Sequence, residues 1–254
     1  MIRPALHSKR GTGPHSLLFV HGTMDHSATF QPVAAHLSPG WTISGYDRRG
    51  WGASRPLADD QTALADHVAD LIAVATRLRQ PVLAGHSYGA LIALAAAAQR
   101  PDLFRAVVAY EPPIPWLPWW PGTAPWEQLV HDTIPQGPAA TARALQQAVL
   151  GRPALGTSDA QLHPDGVALI REMTDPTLDK PCFDPGTLHT PVLTASGSRS
   201  LPHHQHTALH LARLLPAGRH ETLEGADHVA HATHPRQFAE LLAQSTTATP
   251  TPTR

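Results

Sequence analysis

Short apolar runs and amphipathic stripes alternate along most of this chain. Leu17–Val20 and Trp41–Tyr46 are compact apolar runs of strand length. Between about Gln61 and Leu78, apolar residues at Leu64, Val68, Leu71, Ile72 and Ala75 recur at the spacing of one buried helix face. Val82–Ala84 predicts a buried strand, and the alanine-rich run Leu91–Ala98 predicts an apolar helix. Arg105–Tyr110 and Pro191–Ala195 read as further strands, His203–Leu215 as a helix, His220–Leu223 as a strand, and Pro235–Gln244 as a closing helix. Strand and helix in alternation imply right-handed crossovers. The expected class is therefore α/β, a mostly parallel twisted sheet with helices on both faces.

One segment breaks the pattern. From Pro112 to about Gly186 no strand is convincing, but helical stretches occur near Glu127–Thr133, Ala139–Leu150 and Asp159–Met173. The expected organisation is a core formed by 1–111 and 187–244, with a helical lid inserted at 112–186. Residues 245–254, made up of Ser, Thr, Ala, Pro and one Arg, have the composition of a disordered tail. The lid opens with Trp116, Trp119, Trp120 and Trp126. A tryptophan packs a lid onto a core as readily as it lines a pocket. Together the four suggest that at least one or two face an apolar substrate cavity.

Composition narrows the setting. The chain has 254 residues and a formal net charge of -1, which gives no reason to expect nucleic acid or an anionic membrane as partner. No basic N-terminus precedes an apolar stretch, and the run Leu91–Ala98 is too short to span a bilayer. Cys182 is the single cysteine, so an internal disulfide or a multi-cysteine metal site is excluded. A cytoplasmic protein is the expectation.

The chemistry centres on Gly85-His86-Ser87-Tyr88-Gly89, set between the strand Val82–Ala84 and the apolar helix. Strand, sharp turn and helix give this G-x-S-x-G run its mechanism, because the turn pushes the serine hydroxyl out above the sheet. The glycines flanking Ser87 at two residues' distance leave room for the crossing strand and helix. Other site residues are expected at the carboxyl ends of strands. His21-Gly22-Thr23-Met24 follows the first strand in that position. The amide of Thr23, with Met24 as second choice, is expected to join the Tyr88 amide as an oxyanion hole.

His21-Gly22, Asp47-Arg48-Arg49-Gly50-Trp51-Gly52-Ala53-Ser54, the Ser87 pentapeptide and Gly225-Ala226-Asp227-His228 together resemble the α/β-hydrolase family. The resemblance covers nearly the whole chain apart from the lid and tail. It implies a hydrolase without cofactor, using a nucleophile, an acid and a histidine in that chain order. Among eighteen histidines, His228 sits near the C-terminus as the family pattern requires. Its imidazole can take the serine proton and return it to a leaving group. His86 is expected to pack under the turn, His231 and His234 to cap the next helix or lie exposed, and Asp47 to pack beneath the site.

The acid departs from the commonest family pattern. The loop Ser196–Pro202, after the strand where many members carry Asp, contains no carboxylate. Glu111, at the end of Arg105–Tyr110 and followed by Pro112-Pro113, is the alternative, as in some hydrolases of this fold. It would hold the tautomer of His228, unless it merely pairs with an arginine at the lid hinge. Asp227, next to His228, is a poor substitute. His203, His204, His206 and His210 include a pair one helical turn apart, but no H-E-x-x-H pattern or cysteine accompanies them, so a solvated helix face and no metal are expected.

The catalytic residues expected are therefore Ser87, Glu111 and His228, acting without cofactor on a small to medium apolar ester or lactone. The same residues would serve a carbon–carbon bond hydrolase, a thioesterase or a perhydrolase. A hydrolase-fold receptor without turnover, or a cyclase with a vestigial serine, are readings of another class.

Overall fold

The computed structural model describes residues 4, 6, 8–37, 39–150 and 157–245. Seven strands form one sheet: β1 (Ser8–Arg10), β2 (His15–Val20), β3 (Trp41–Gly45), β4 (Val82–His86), β5 (Ala106–Tyr110), β6 (Val192–Gly197) and β7 (Gly218–Leu223). Their order is β1-β3-β2-β4-β5-β6-β7, with β1 antiparallel to β3 and every other pair parallel. Helices α1 (Gln31–His36), α2 (Leu64–Ala75) and α3 (Tyr88–Gln99) precede β5, and α4 (Pro125–Thr133), α5 (Pro138–Leu150) and α6 (Asp159–Met173) follow it. After β6 come α7 (Pro202–Leu214), α8 (Ala230–Thr233) and α9 (Pro235–Gln244). No described helix is long and apolar enough to cross a membrane.

Two apolar layers flank the sheet, and the period of two along each strand assigns side chains to them. Leu18, Val20, Leu83, Val107 and Ala109 meet α2, α3 and the end of α7 on one face. Leu17, Phe19, Val82, Ala84, Val108 and Leu193 meet α1 and α9 on the other. Helix α3 is buried from Tyr88 to Ala97, which explains why it is apolar all round instead of striped. Small alanines let it lie close against the strands.

Between β5 and β6 the described residues contain helices and no strand. Helices α5 and α6 pack so closely that a Cβ on Gly166 would lie 1.9 Å from the Pro138 carbonyl oxygen. Trp51, from the loop after β3, is fully buried against Val130, Leu145, Ala168 and Leu169 of this helical insertion. The insertion is thus joined to the core by an apolar cluster of its own. Apart from the buried Ser245, the predicted tail 245–254 lies outside the described residues.

Candidate active site

Ser87 stands between the last residue of β4 and the first of α3, with φ 51° and ψ -125°. A residue with a side chain rarely adopts this backbone, at a cost of roughly 1–3 kcal/mol. Its surroundings enforce it. Ser87 N–H donates to the Tyr110 carbonyl at 2.9 Å, and its own carbonyl accepts from Ala90 N–H at 2.8 Å. The glycines are steric necessities: a Cβ on Gly85 would lie 2.5 Å from Ala90 Cα, and one on Gly89 would lie 2.2 Å from the Val20 carbonyl oxygen. Tyr88 is the first residue of α3, so its N–H has no partner within the helix.

Glu111 closes β5 with φ 49°, turning sharply out of the strand. Its side chain is fully buried. Oε2 accepts a hydrogen bond from His228 Nδ1 at 2.6 Å. Oε1 accepts from the Gly197 N–H at 2.9 Å and from the Ser200 hydroxyl. Burial alone would raise the carboxyl pKa, but the bond from His228, its nearby charge and the Ser200 hydroxyl hold it down at about 2. Among the described residues no arginine pairs with Glu111, whose hydrogen bonds come from His228, Gly197 and Ser200. The loop that lacks a carboxylate instead supplies two donors to one.

His228 keeps 19 % of its side chain exposed, in contrast to its carboxylate partner. The Nδ1–H donated to Glu111 selects the tautomer whose lone pair lies on Nε2. The segment around it is tied to the elbow. His86 Nε2 donates to the His228 carbonyl at 2.8 Å, and the Tyr110 hydroxyl donates to the Asp227 carbonyl at 2.6 Å. His86 is buried under the turn as expected. The Asp227 carboxylate instead accepts from Val229 N–H at 3.1 Å, so it shapes the turn.

On the far side of β2 a second network fixes the loop His21–Met24. His21 Nε2 accepts from Arg48 N–H at 2.9 Å, which leaves Nδ1 to donate to the Gly22 carbonyl at 2.8 Å. Burial, reinforced by the Arg48 charge, keeps this imidazole neutral, with a pKa lowered to about 3. Arg48 Nε donates to the His21 carbonyl at 2.8 Å and Nη2 to the Gly22 carbonyl at 2.9 Å. In a trans peptide the N–H lies opposite the C=O, so the Thr23 amide is turned away from Arg48. Gly22 borders Ser87: a Cβ there would come within 3.1 Å of Ser87 Cβ. Met24 follows with φ 57°, completing a tight turn.

The tryptophans separate in space. Trp120 packs against His203 at 4.9 Å and His204 at 5.6 Å between ring centroids, and His204 stacks on His228 at 4.8 Å. Trp116 packs on Phe183, Trp119 on His210, and Trp126 against the cluster around Trp51 and Met24. Of the four, only Trp120 is placed one ring from the pair Glu111–His228. A groove of about 490 Å³ between α4 and α5 is lined by residues such as Leu129 and Ala140, and by none of Ser87, Glu111 or His228.

Two expectations about histidines need correction. The face carrying His203–His210 is not simply solvated. His204 is buried, on the stripe shared with Thr207, Ala208 and Leu211, and only its neighbour His206 is exposed. His231 neither caps a helix nor lies exposed. It is buried with Nε2 3.3 Å from Asp25, whose carboxylate also faces His86 Nδ1 at 3.7 Å. Asp47 does pack beneath the site, where it accepts from Ser27 N–H and Oγ and from Ala53 N–H. The residues that sequence reasoning missed are Ser200, Arg48, His204 and Glu172. A polar residue in register with a helix's apolar stripe is the available signal for the last two, since Glu172 falls in line with Leu162, Gly166 and Leu169.

Several known proteins resemble this chain. A 2-(acetamidomethylene)succinate hydrolase from Mesorhizobium japonicum is 40% identical over 105 residues, which is 41% of this chain and 37% of that protein, so the match spans little more than a third of the relative's length. A pimeloyl-[acyl-carrier protein] methyl ester esterase from Xanthomonas campestris pv. campestris is 30% identical over 94% of this chain and 98% of its own. A bromoperoxidase from Bacillus anthracis superposes with a TM-score of 0.77 at 18% identity, covering 96% of this chain and 100% of that one, a likeness of fold. The model of the alpha/beta hydrolase family matches residues 17–241, and with the sheet order and the Ser87 turn already described, this chain belongs to that family.

Proposed function

We propose that this chain is a serine hydrolase of carboxylic esters, lactones included, acting on small to medium apolar molecules through an acyl-enzyme. The observation that carries the reading is the buried Glu111 carboxylate bonded to His228 Nδ1 at 2.6 Å, at the same end of the sheet as Ser87. The Xanthomonas campestris relative, similar over 94% of the chain and named a methyl ester esterase, supports the bond type.

In this mechanism His228 Nε2 takes the Ser87 proton as Oγ attacks the ester carbonyl carbon. The tetrahedral oxyanion is stabilised by the Tyr88 and Thr23 amides, with Met24 as the alternative donor. Collapse breaks the C–O bond to the alcohol, which leaves with the proton held on His228. Water then attacks the acyl-enzyme, giving its proton to His228, and release of the acid returns the proton to Ser87. Glu111 remains ionised throughout and stabilises the imidazolium. The insertion 112–186 acts as the lid, and Trp120 is the tryptophan best placed to meet substrate.

The test is hydrolysis of p-nitrophenyl esters of increasing chain length by the wild type, Ser87→Ala and His228→Ala. Either substitution is expected to lower kcat by at least about 10³-fold, the scale on which such residues act as a unit. A fully active Ser87→Ala variant would remove the serine mechanism. Turnover of thioesters or diketones in preference to oxygen esters would move the bond type while leaving the residues in place.

A further inference from the structure

We infer that Glu172, carried by the helical insertion, is a positioning residue that holds the Gly22–Thr23 peptide in its oxyanion-binding orientation through Arg48 and Thr23. This rests on the reading above, in which the Thr23 amide is a donor to the oxyanion.

Glu172 is buried, and each of its oxygens is committed to the core. Oε1 accepts from Arg48 Nη1 at 2.6 Å and from Trp51 Nε1 at 2.7 Å, and Oε2 accepts from the Thr23 hydroxyl at 2.6 Å. Arg48 is fully buried, with its guanidinium stacked 5.0 Å over the Tyr88 ring. The cation therefore sits between the insertion, the residue after the nucleophile and the two carbonyls of His21 and Gly22. His67 Nε2, at 3.9 Å from Glu172, is held neutral by burial and by the charges of Arg48 and Arg49, so it adds no second cation to compete with Arg48 for the carboxylate.

Remove the carboxylate and Arg48 becomes an uncompensated buried cation, which is strongly unfavourable. Its relief is to shift toward water, drawing Nη2 off the Gly22 carbonyl. That peptide is then free to rotate, and its N–H with it. At the same time Thr23 loses the hydrogen bond that tethers its side chain to Glu172. Docking of the insertion and orientation of the oxyanion loop thus share one carboxylate. A mere anchor for the lid would touch the core at its surface; Glu172 instead touches the loop and the residue that pins it.

The experiment compares wild type, Glu172→Gln and Thr23→Val, each checked for folding by circular dichroism and thermal unfolding. Two rates are read: ester turnover, split into kcat and KM, and the second-order rate of Ser87 labelling by a fluorophosphonate, whose phosphoryl oxygen needs the same amides. Deleting one oxyanion donor costs roughly 10²–10³-fold in kcat, so loosening one is expected to cost about 10-fold or more. Glu172→Gln should lose this factor in both kcat and labelling rate, with KM within about threefold of wild type. Thr23→Val, which leaves the Arg48–Glu172 pair intact, should lose part of it in both. Unchanged kcat and labelling with a raised KM or lowered Tm would overturn the inference and leave Glu172 a structural anchor. If Glu172→Gln fails to fold, Thr23→Val decides alone, with wild-type rates overturning the inference. A wild type that neither turns over esters nor takes up the label would overturn the hydrolase reading, and the inference with it.

Discussion

Glu111 accepts three hydrogen bonds in a fully buried setting, and only one comes from His228. A Glu111→Gln substitution keeps the shape but must place an NH₂ against one set of donors. Two donors, Gly197 N–H and Ser200 O–H, face Oε1, so the amide nitrogen is better turned toward His228. There it can donate only if Nδ1 gives up its proton, and the ring is left with its hydrogen on Nε2, the tautomer unable to take the Ser87 proton. Steady-state kinetics should therefore show kcat lower by about 10³- to 10⁴-fold with the protein still folded; near-wild-type turnover would remove Glu111 from the mechanism. The residue itself was legible from sequence, because it ends a strand and the Ser196–Pro202 loop holds no carboxylate. Its supporters were not. Nothing in the order of residues announces that Ser200 or the Gly197 amide, 86 or more positions away, would turn toward it.

Secondary elements were legible wherever one face is buried and the period is clean. Helix α6 runs over Asp159–Met173 and α9 over Pro235–Gln244, the spans the pattern predicts. Helix α2 is shorter than predicted, Leu64–Ala75 in place of Gln61–Leu78, and Asp175 from the insertion accepts the Leu64 N–H at 2.7 Å where the helix begins. Strand β1 escaped notice: its three residues pair antiparallel with β3 at the sheet edge and leave no apolar run to read. The histidine-rich α7 shows a different limit. Composition suggested a wet face, whereas its stripe of His204, Thr207, Ala208 and Leu211 points inward. Position on the helix, more than polarity, decided burial there. The Ser87 turn was the most legible element, since Gly85 and Gly89 are demanded by backbone atoms 2.5 and 2.2 Å from where a Cβ would stand.

The assembled protein buries imidazoles that cannot easily charge. Burial lowers His86 to about 4 and His21 to about 3, from an ordinary value of 6.5, and pushes His67 and His204 well below it. These groups bind protons in the unfolded chain before they do in the folded one. Their contribution to stability is therefore present above pH 6.5 and is lost as pH falls from there toward their folded values. Glu111, depressed from 4.5 to about 2, acts with the same sign at lower pH, its contribution fading between those two values. Each group in its window contributes up to about 1.4 kcal/mol per pH unit. Urea unfolding midpoints should accordingly fall steadily from pH 7 to pH 4, and a flat profile would mean that these histidines are not held neutral. Family membership was readable in the order of the Gly22, Ser87 and His228 segments, but the coupling of the insertion to the core through Glu172 needed the fold, because 124 residues separate it from Arg48. The proposed mechanism turns on one covalent event. Acid-quenched turnover of a p-nitrophenyl ester, followed by peptide mass spectrometry, should find a single acyl group on the peptide carrying Ser87 and none in Ser87→Ala. Sustained hydrolysis with no acyl group on Ser87 would contradict the mechanism proposed here.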